Sequence, residues 1–472
     1  MREGTPLMNK LISPNGRPRN CQGNSMGKRS FPRWLAGIGA SLGLIFLVLL
    51  VLIFVFGHAI LNGYGKDRLQ HAFAAAHPGS VLQIGELAYS IGGNRLVADS
   101  VTLSSPGSTC KVGWISLTGV HWGKLIWGTA EQPEILAMAS LEATNLDVKF
   151  PQAQYGIRFA RLRASVPDSE LIGEGAELIS LLPDEALFAA TKFRTTRYHL
   201  VVPIVKVSGL AYGDLLQGTA YRASSIGFTR PAFDALVNRD KPSPPFTKSP
   251  LMVHEALAAI LRPLRIDHLG ITNGRVSYRE RMAVGASPGV LTFSAINLSV
   301  EGIANQGGPT AAIQLRGQGD FMNAGIIKVQ MSIPISPPDF SFQYSGSLSA
   351  MDLTRLDAFL DVAERTRIKS GRAREVTFEI DVTGGAALGR VRAIYQDLKI
   401  AVLDDQTGAE SGFKNRVASF LANTLSIHSA NAPDASGAMY EGKVIYTRKP
   451  EDKFVPFVWQ ALRTGILDVI NH

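Results

Sequence analysis

Residues 141–150 read LEATNLDVKF. Leu146, Val148 and Phe150 alternate with Asn145, Asp147 and Lys149, the two-residue period of a strand with one dry and one wet face. Leu141 and Ala143 belong to the same dry set, yet two residues instead of one separate Ala143 from Leu146. Apolar positions at i, i+2, i+5 and i+7 are alternation with one extra residue. A β-bulge or strand bend would need that residue to keep one face inward.

The same spacing fits eight windows in all: 82–89, 115–122, 141–148, 157–164, 205–212, 221–228, 264–271 and 291–298. With 46% apolar residues, chance alone fills such a window about one time in twenty, so the weight lies in recurrence beside turn residues such as Asn273-Gly274. Plain alternation appears at 327–335 and 376–382. The expected fold is mainly β with interspersed helices, an α+β arrangement built on a curved, largely antiparallel, groove-like sheet. Helical spacing predicts helices at 66–76, 251–261, 351–367, 413–427 and 454–470. In the last, Phe457, Val458, Leu462, Ile466, Leu467 and Ile470 make the apolar stripe. Four prolines within 238–250 forbid helix and central strand there. A linker at 241–250 is therefore expected between β-rich regions 57–240 and 251–472.

Upstream, residues 34–56 (WLAGIGASLGLIFLVLLVLIFVF) carry no charge over 23 residues. As a helix they reach roughly 35 Å, enough to cross a hydrocarbon core of about 30 Å. Residues 1–33 hold seven basic residues and one acid, Glu3, so this tail is expected to stay cytoplasmic and the bulk to be exported. A cleavable signal peptide fits less well, because its apolar stretch is shorter and Gly57-His58-Ala59 is a poor cleavage site. The tail accounts for six of the nine net positive charges. What remains is nearly neutral and has no basic cluster, which argues against nucleic acid. Cys21 and Cys110 would lie on opposite sides of the membrane and cannot pair within one chain.

Chemical motifs are incomplete. His254-Glu255 opens an HExxH pattern, but Ala258 stands where the second ligand belongs. Residues 285–289 spell GxSxG around Ser287, yet a strand follows where a nucleophile elbow needs a helix. Gly317 and Gly319 are not completed as GxGxxG, since Met322 takes the last place, and no phosphate-cradling loop occurs. Glu379 and Asp381 fall on the wet face of a strand, and Asp404-Asp405 precede a turn. Asn297-Leu298-Ser299 is a formal glycosylation acceptor that matters only in a eukaryotic secretory setting. By elimination the chain reads as a binding, scaffolding or transport body, with no catalytic residues, metal or cofactor.

Several segments resemble the bacterial AsmA-like family, which also includes TamB-like members. These are LRIDHLGITNGRVSYRE (264–280) with LTFSAINLSV after it, LSAMDLTRLDAFL (348–360), GRVRAIYQDLKIAVL (389–403) and the closing FVPFVWQALRTGILDVI. The resemblance covers about residue 255 to the end and rests on apolar patterns. It implies an inner-membrane protein with a cytoplasmic N-terminus and a periplasmic body, acting in outer-membrane biogenesis and in lipid movement. Phospholipid or another acyl-chain lipid would be its ligand, and other envelope proteins its partners. Val329, Met331, Ile333, Val376, Phe378 and Ile380 would then line an apolar groove, or equally form the packed core of a sandwich. The alternative function is a non-catalytic, membrane-anchored envelope scaffold or assembly factor.

Overall fold

The computed structural model describes residues 64–90, 93–121, 132–308, 310–335, 339–403, 410–411 and 427–472. The expected basic tail, the membrane helix at 34–56, Asp404-Asp405 and all but the last residue of the helix at 413–427 lie outside the described residues. No described helix is long and apolar enough to cross a membrane.

Helix α1 (Tyr64–Ala76) leads to β1 (Val81–Gln83), β2 (Glu86–Ser90), β3 (Arg95–Ser105) and β4 (Ser108–Thr118). A short helix α2 (Gln132–Ile135) precedes β5 (Ser140–Phe150), β6 (Tyr155–Ser165) and β7 (Glu170–Ser180). Then come α3 (Asp184–Ala189), β8 (Thr195–Ser208), α4 (Tyr212–Gln217), β9 (Tyr221–Thr229) and β10 (Ala232–Asn238). After α5 (Val253–Ala258) the chain runs through β11 (Leu264–Arg281), β12 (Gly289–Ala304), β13 (Ala312–Phe321), β14 (Gly325–Pro334), β15 (Phe342–Leu348) and β16 (Met351–Asp352). A 3-10 turn (Leu353–Leu356) and α6 (Asp357–Ala363) precede β17 (Thr366–Thr383) and β18 (Ala386–Leu403). The last elements are β19 (Glu410–Ser411), β20 (Gly442–Thr447) and α7 (Phe454–Asn471).

The protein is mainly β, and the described strands form one large, mostly antiparallel sheet. Successive rows of the sheet follow chain order, with one parallel step. There β11 runs beside β9 and β10, which together form one row against β8. β1 with β2, β15 with β16, and β19 with β20 are likewise single interrupted rows, leaving sixteen rows among the described residues. At about 4.8 Å per row the ribbon measures roughly 70 Å across its strands.

The proline-rich segment 241–250 has neither helix nor strand, as its composition requires. It belongs to the return connection that a parallel pair demands, and the sheet continues across it without a break. Among the expected helices, 351–367 is divided, because Met351 pairs with Ala373 and Thr366 already opens β17. The short helices α2, α3 and α4 were not foreseen.

The extra residue in 141–148 has a definite counterpart. Asn145 sits at φ +54, and the ladder skips the Asn145 level on both sides of β5. Ser100 in β3, Gly175 in β7, Arg230 after β9, Asn273 in β11 and Ala295 in β12 also have positive φ, and they fall along the same line across the sheet. From β3 to β8 the register itself is kept, since both partners insert a residue at the same level. True register shifts occur only later, between β11 and β12, β12 and β13, and β17 and β18. Matched insertion explains why the spacing recurs from strand to strand. In β4 and β8 the inward sets are Cys110, Val112, Ile115, Leu117 and Leu200, Val202, Val205, Val207, five residues before the windows read from sequence. Val120, Leu210 and Tyr212 belong to chain that folds over the first core.

Two apolar clusters lie on the inward face. The first joins β1 to β6 with Phe73 of α1, Ile135 of α2 and Tyr212 of α4. The second joins β12 to β20 with Met252 before α5 and with Phe457, Ala461, Val469 and Ile470 of α7. Asn145 tests the line of kinks, because a β-branched residue resists positive φ. Asn145→Val should cost about 1–2 kcal/mol in urea unfolding, and Asn145→Gly little. Equal stability of all three proteins would contradict the assignment.

Candidate functional site

Residues in direct cross-strand register share a face, so files of side chains can be followed across the whole sheet. One file runs Leu96, Leu117, Leu141, Ala164, Leu171, Val207, Ile226, Leu269, Val300, Leu315, Met331, Tyr344 and Ile380, and every member is apolar or tyrosine. Its ends are buried: Leu96 to Ala164 under the first group of helices, Met331 to Ile380 under α5 and α7. Its middle, Leu171, Val207, Ile226 and Leu269, is only half-buried. A parallel file is buried at Val148 and half-buried from there on, through Ile157, Leu178, Leu200, Phe233, Val276, Phe293 and Phe321. Because helices cover both ends of one continuous apolar face, its centre is the candidate site.

The six residues singled out from sequence lie on this face at the covered end. Val329, Met331 and Ile333 of β14 and Val376, Phe378 and Ile380 of β17 flank Tyr344 of β15 and pack into the second cluster. Ile380 is 0% exposed, and the Tyr344 hydroxyl donates to the Val458 carbonyl of α7 at 3.0 Å. A ligand would have to displace α7 to reach them. Sequence reasoning missed the central residues, although the strand spacing there carries the same signal. Which part stays open depends on where the helices land, and strand periodicity does not encode that.

Five files cross β8 to β12 on this face, and Glu280 is the one charged side chain in them. It is 3% exposed and pairs with Arg239, whose Nε stands 2.9 Å from Oε2. The Tyr278 hydroxyl also donates to Glu280. Two more charged groups approach this corner from the covering helices, Glu364 at the end of α6 and Arg463 of α7. Burial raises the Glu364 carboxyl above the ordinary carboxylate range, and Glu280 adds to this. Arg463 and Arg239 offset only part of the rise.

On the opposite face the charges are mutually satisfied. Arg197 donates to Asp184 of α3 at 3.0 Å and also to Asp234, which accepts from Arg279 at 2.6 Å as well. Arg281 holds Glu185 through two bonds of 2.5 and 2.9 Å and stacks over Phe188. Burial alone would raise the Asp234 carboxyl, but its two arginine partners outweigh this and hold it below the usual range. An open cleft of about 570 Å³ lies beside this network, lined by Ser180, His199, Ser277 and Arg279 among others. Its cations and carboxylates balance, and the network pins α3 to the sheet.

The other candidates from sequence are dispersed. Ser287 is exposed in the turn between β11 and β12. Glu379 lies on the solvent face, 3.2 Å from Arg390. The buried Cys110 thiol is pushed up to about 12, chiefly by burial, which keeps it unreactive. Among the described residues no group of His, Cys, Asp and Glu is arranged to hold a metal ion.

The chain matches no protein-family model and no curated protein.

Because its folded carboxyl is raised, Glu364 contributes stability that is full below the ordinary carboxyl value and lost as pH rises through the raised one. Glu364→Gln should therefore match the parent protein in thermal unfolding near pH 4 and exceed it at pH 7. A variant less stable at pH 7 would show that Glu364 is held as a favourable ion pair instead.

Proposed function

We propose that the protein is an AsmA-like, inner-membrane-anchored periplasmic protein that binds or transfers acyl-chain lipid along an apolar trough in its sheet, and so acts in outer-membrane biogenesis. On this reading the segment 34–56 is the anchor, residues 1–33 remain cytoplasmic, and the aligned kinks bend the sheet around the apolar face. The observation that carries the reading is the file from Leu171 to Leu269, apolar throughout and half-buried, between two ends that helices cover. Each methylene removed from water on such a surface is worth about 0.8 kcal/mol, so a chain of a dozen carbons binds without any catalytic group. The AsmA-like sequence segments and the mainly β sheet support the same assignment. A non-catalytic envelope scaffold is the second reading, favoured by the way α5 and α7 cover Ile380 and its neighbours with the protein's own helices.

Lipid extraction and mass spectrometry of the full chain, purified in mild detergent, should return bound acyl lipid. Phe233→Asp combined with Phe293→Asp should remove most of it while leaving circular dichroism unchanged. An empty parent protein, or undiminished lipid in the folded variant, would contradict the proposal.

A further inference from the structure

The strand end at which β11 begins and β20 finishes carries the two most exposed large apolar side chains among the described residues, Leu261 at 95% and Val455 at 73%. Leu261 is not on a loose loop. Asn305 Nδ2 donates to the carbonyls of Ile260 and Arg262 at 2.9 and 2.7 Å, and Asn305 Oδ1 accepts from the Leu264 amide at 2.8 Å. The Tyr221 amide donates to the Pro263 carbonyl at 2.8 Å as well. On α7, the rings of Phe454 and Phe457 lie 5.2 and 6.2 Å from that of Phe342, which fixes the first turn and leaves Val455, Pro456 and Trp459 exposed. Single leucines scattered over a surface are ordinary. A leucine held out by a clamped loop, with a valine and a tryptophan at the same strand end, is a wedge of the kind that a bilayer interface accepts. Arg262 follows Leu261 and Lys453 precedes α7, both exposed, where cations meet lipid headgroups.

The chain enters from the same strand end. Ser80, just after α1, bonds Ser105 at the far end of β3, whereas Lys66 in the first turn of α1 reaches the Gly85 carbonyl, halfway along that strand at the level of Asp99. α1 therefore runs toward the far end, and its start points back toward the end that carries Leu261. Only seven residues, 57–63, separate Tyr64 from the segment 34–56, a reach of about 25 Å at full extension. Resting on the anchor reading of that segment, we infer that the loop 260–263 and the first turns of α7 dock on the phospholipid bilayer that holds the anchor, with Leu261, Val455 and Trp459 entering its interface. Three side chains are too few to hold a free protein on a membrane, whereas a tether raises the local lipid concentration enough for them to act. The occupant is therefore the anchoring bilayer. β9 and β11 start at this end, and Ile226 and Leu269 of the open apolar face lie five residues from those starts. Docking brings that face to the leaflet from which an acyl chain would enter it.

The test uses the full chain with Cys21→Ser and Cys110→Ala, carrying one environment-sensitive fluorophore on Leu261→Cys and reconstituted in vesicles of dioleoylphosphatidylcholine and dioleoylphosphatidylglycerol. Brominated acyl lipid quenches a fluorophore that it touches, and it is placed either in the host vesicles or in protein-free vesicles added afterwards. Bromine in the host lipid should quench position 261 about twofold or more. A fluorophore on Val284→Cys, exposed at the opposite strand end, should be quenched little. Val455→Asp combined with Trp459→Asp should cut the quenching at 261 about twofold while circular dichroism stays unchanged. Quenching by the added vesicles alone would assign the surface to a second membrane and overturn the proposal. A blue shift without quenching that grows with protein density would assign it to a second copy of the chain, with the same effect. No quenching at 261 in protein that resists alkaline extraction would overturn the docking surface and leave the anchor standing. Release of the protein by alkaline extraction would remove both.

Discussion

The structure depends on one constraint: a single sheet face is apolar from β3 to β20 and has to be kept from water. Side chains in register from Leu96 to Ile380 are all on that face: from β3 to β8 each kink is answered at the same level in the neighbouring strand, and further on unmatched residues are taken up as bulges that keep the paired side chains on the same side. Small or turn-prone residues make the matched kinks possible. A side chain at Gly113 would crowd Asn145, and one at Gly175 would crowd Ala160.

The face is covered unevenly. α7 fits closely because Gly465 and Ala461 bring its backbone against Val391 and Val444, where any larger group at Gly465 would collide. The same helix also closes the sheet edge. Asp468 accepts from the Lys443 amide at 2.7 Å and Thr464 from the Ile445 amide at 3.3 Å, so backbone donors of β20 that would otherwise invite another strand are used. At the opposite edge Lys66 donates to the Gly85 carbonyl at 2.9 Å. With both ends of the apolar face packed, the half-buried centre is the part of that face which the protein's own helices leave uncovered. That is the physical basis on which we propose a lipid there.

Much of this was legible in the sequence, for identifiable reasons. The strands announced themselves because one wet and one dry face impose a period of two, and 141–148 and 291–298 showed even the inserted residue. The helix at 454–470 was legible from its apolar spacing. Its contact line was less so, since large residues such as Leu462 drew attention while the tightest approach is made by Ala461 and Gly465. The helix expected at 351–367 was cut short because long-range pairing of Met351 and Thr366 outweighed local periodicity. Val329, Met331, Ile333, Val376, Phe378 and Ile380 lie on the apolar face, as their alternation required, but no local signal says that α7 packs into the same cluster. Glu280 went unnoticed because a lone acid in a strand reads as surface; only register shows that it points inward.

The central claim is that the middle of this face is accessible while its end is not. Single cysteines at Ile226 and Ile380, in a chain with Cys21 and Cys110 replaced by serine and alanine, compare the two places directly through their rates of maleimide labelling. The account predicts rapid labelling at 226, slowed when lipid is present, and labelling at 380 only on unfolding. Equal protection at both positions in lipid-free protein would contradict it.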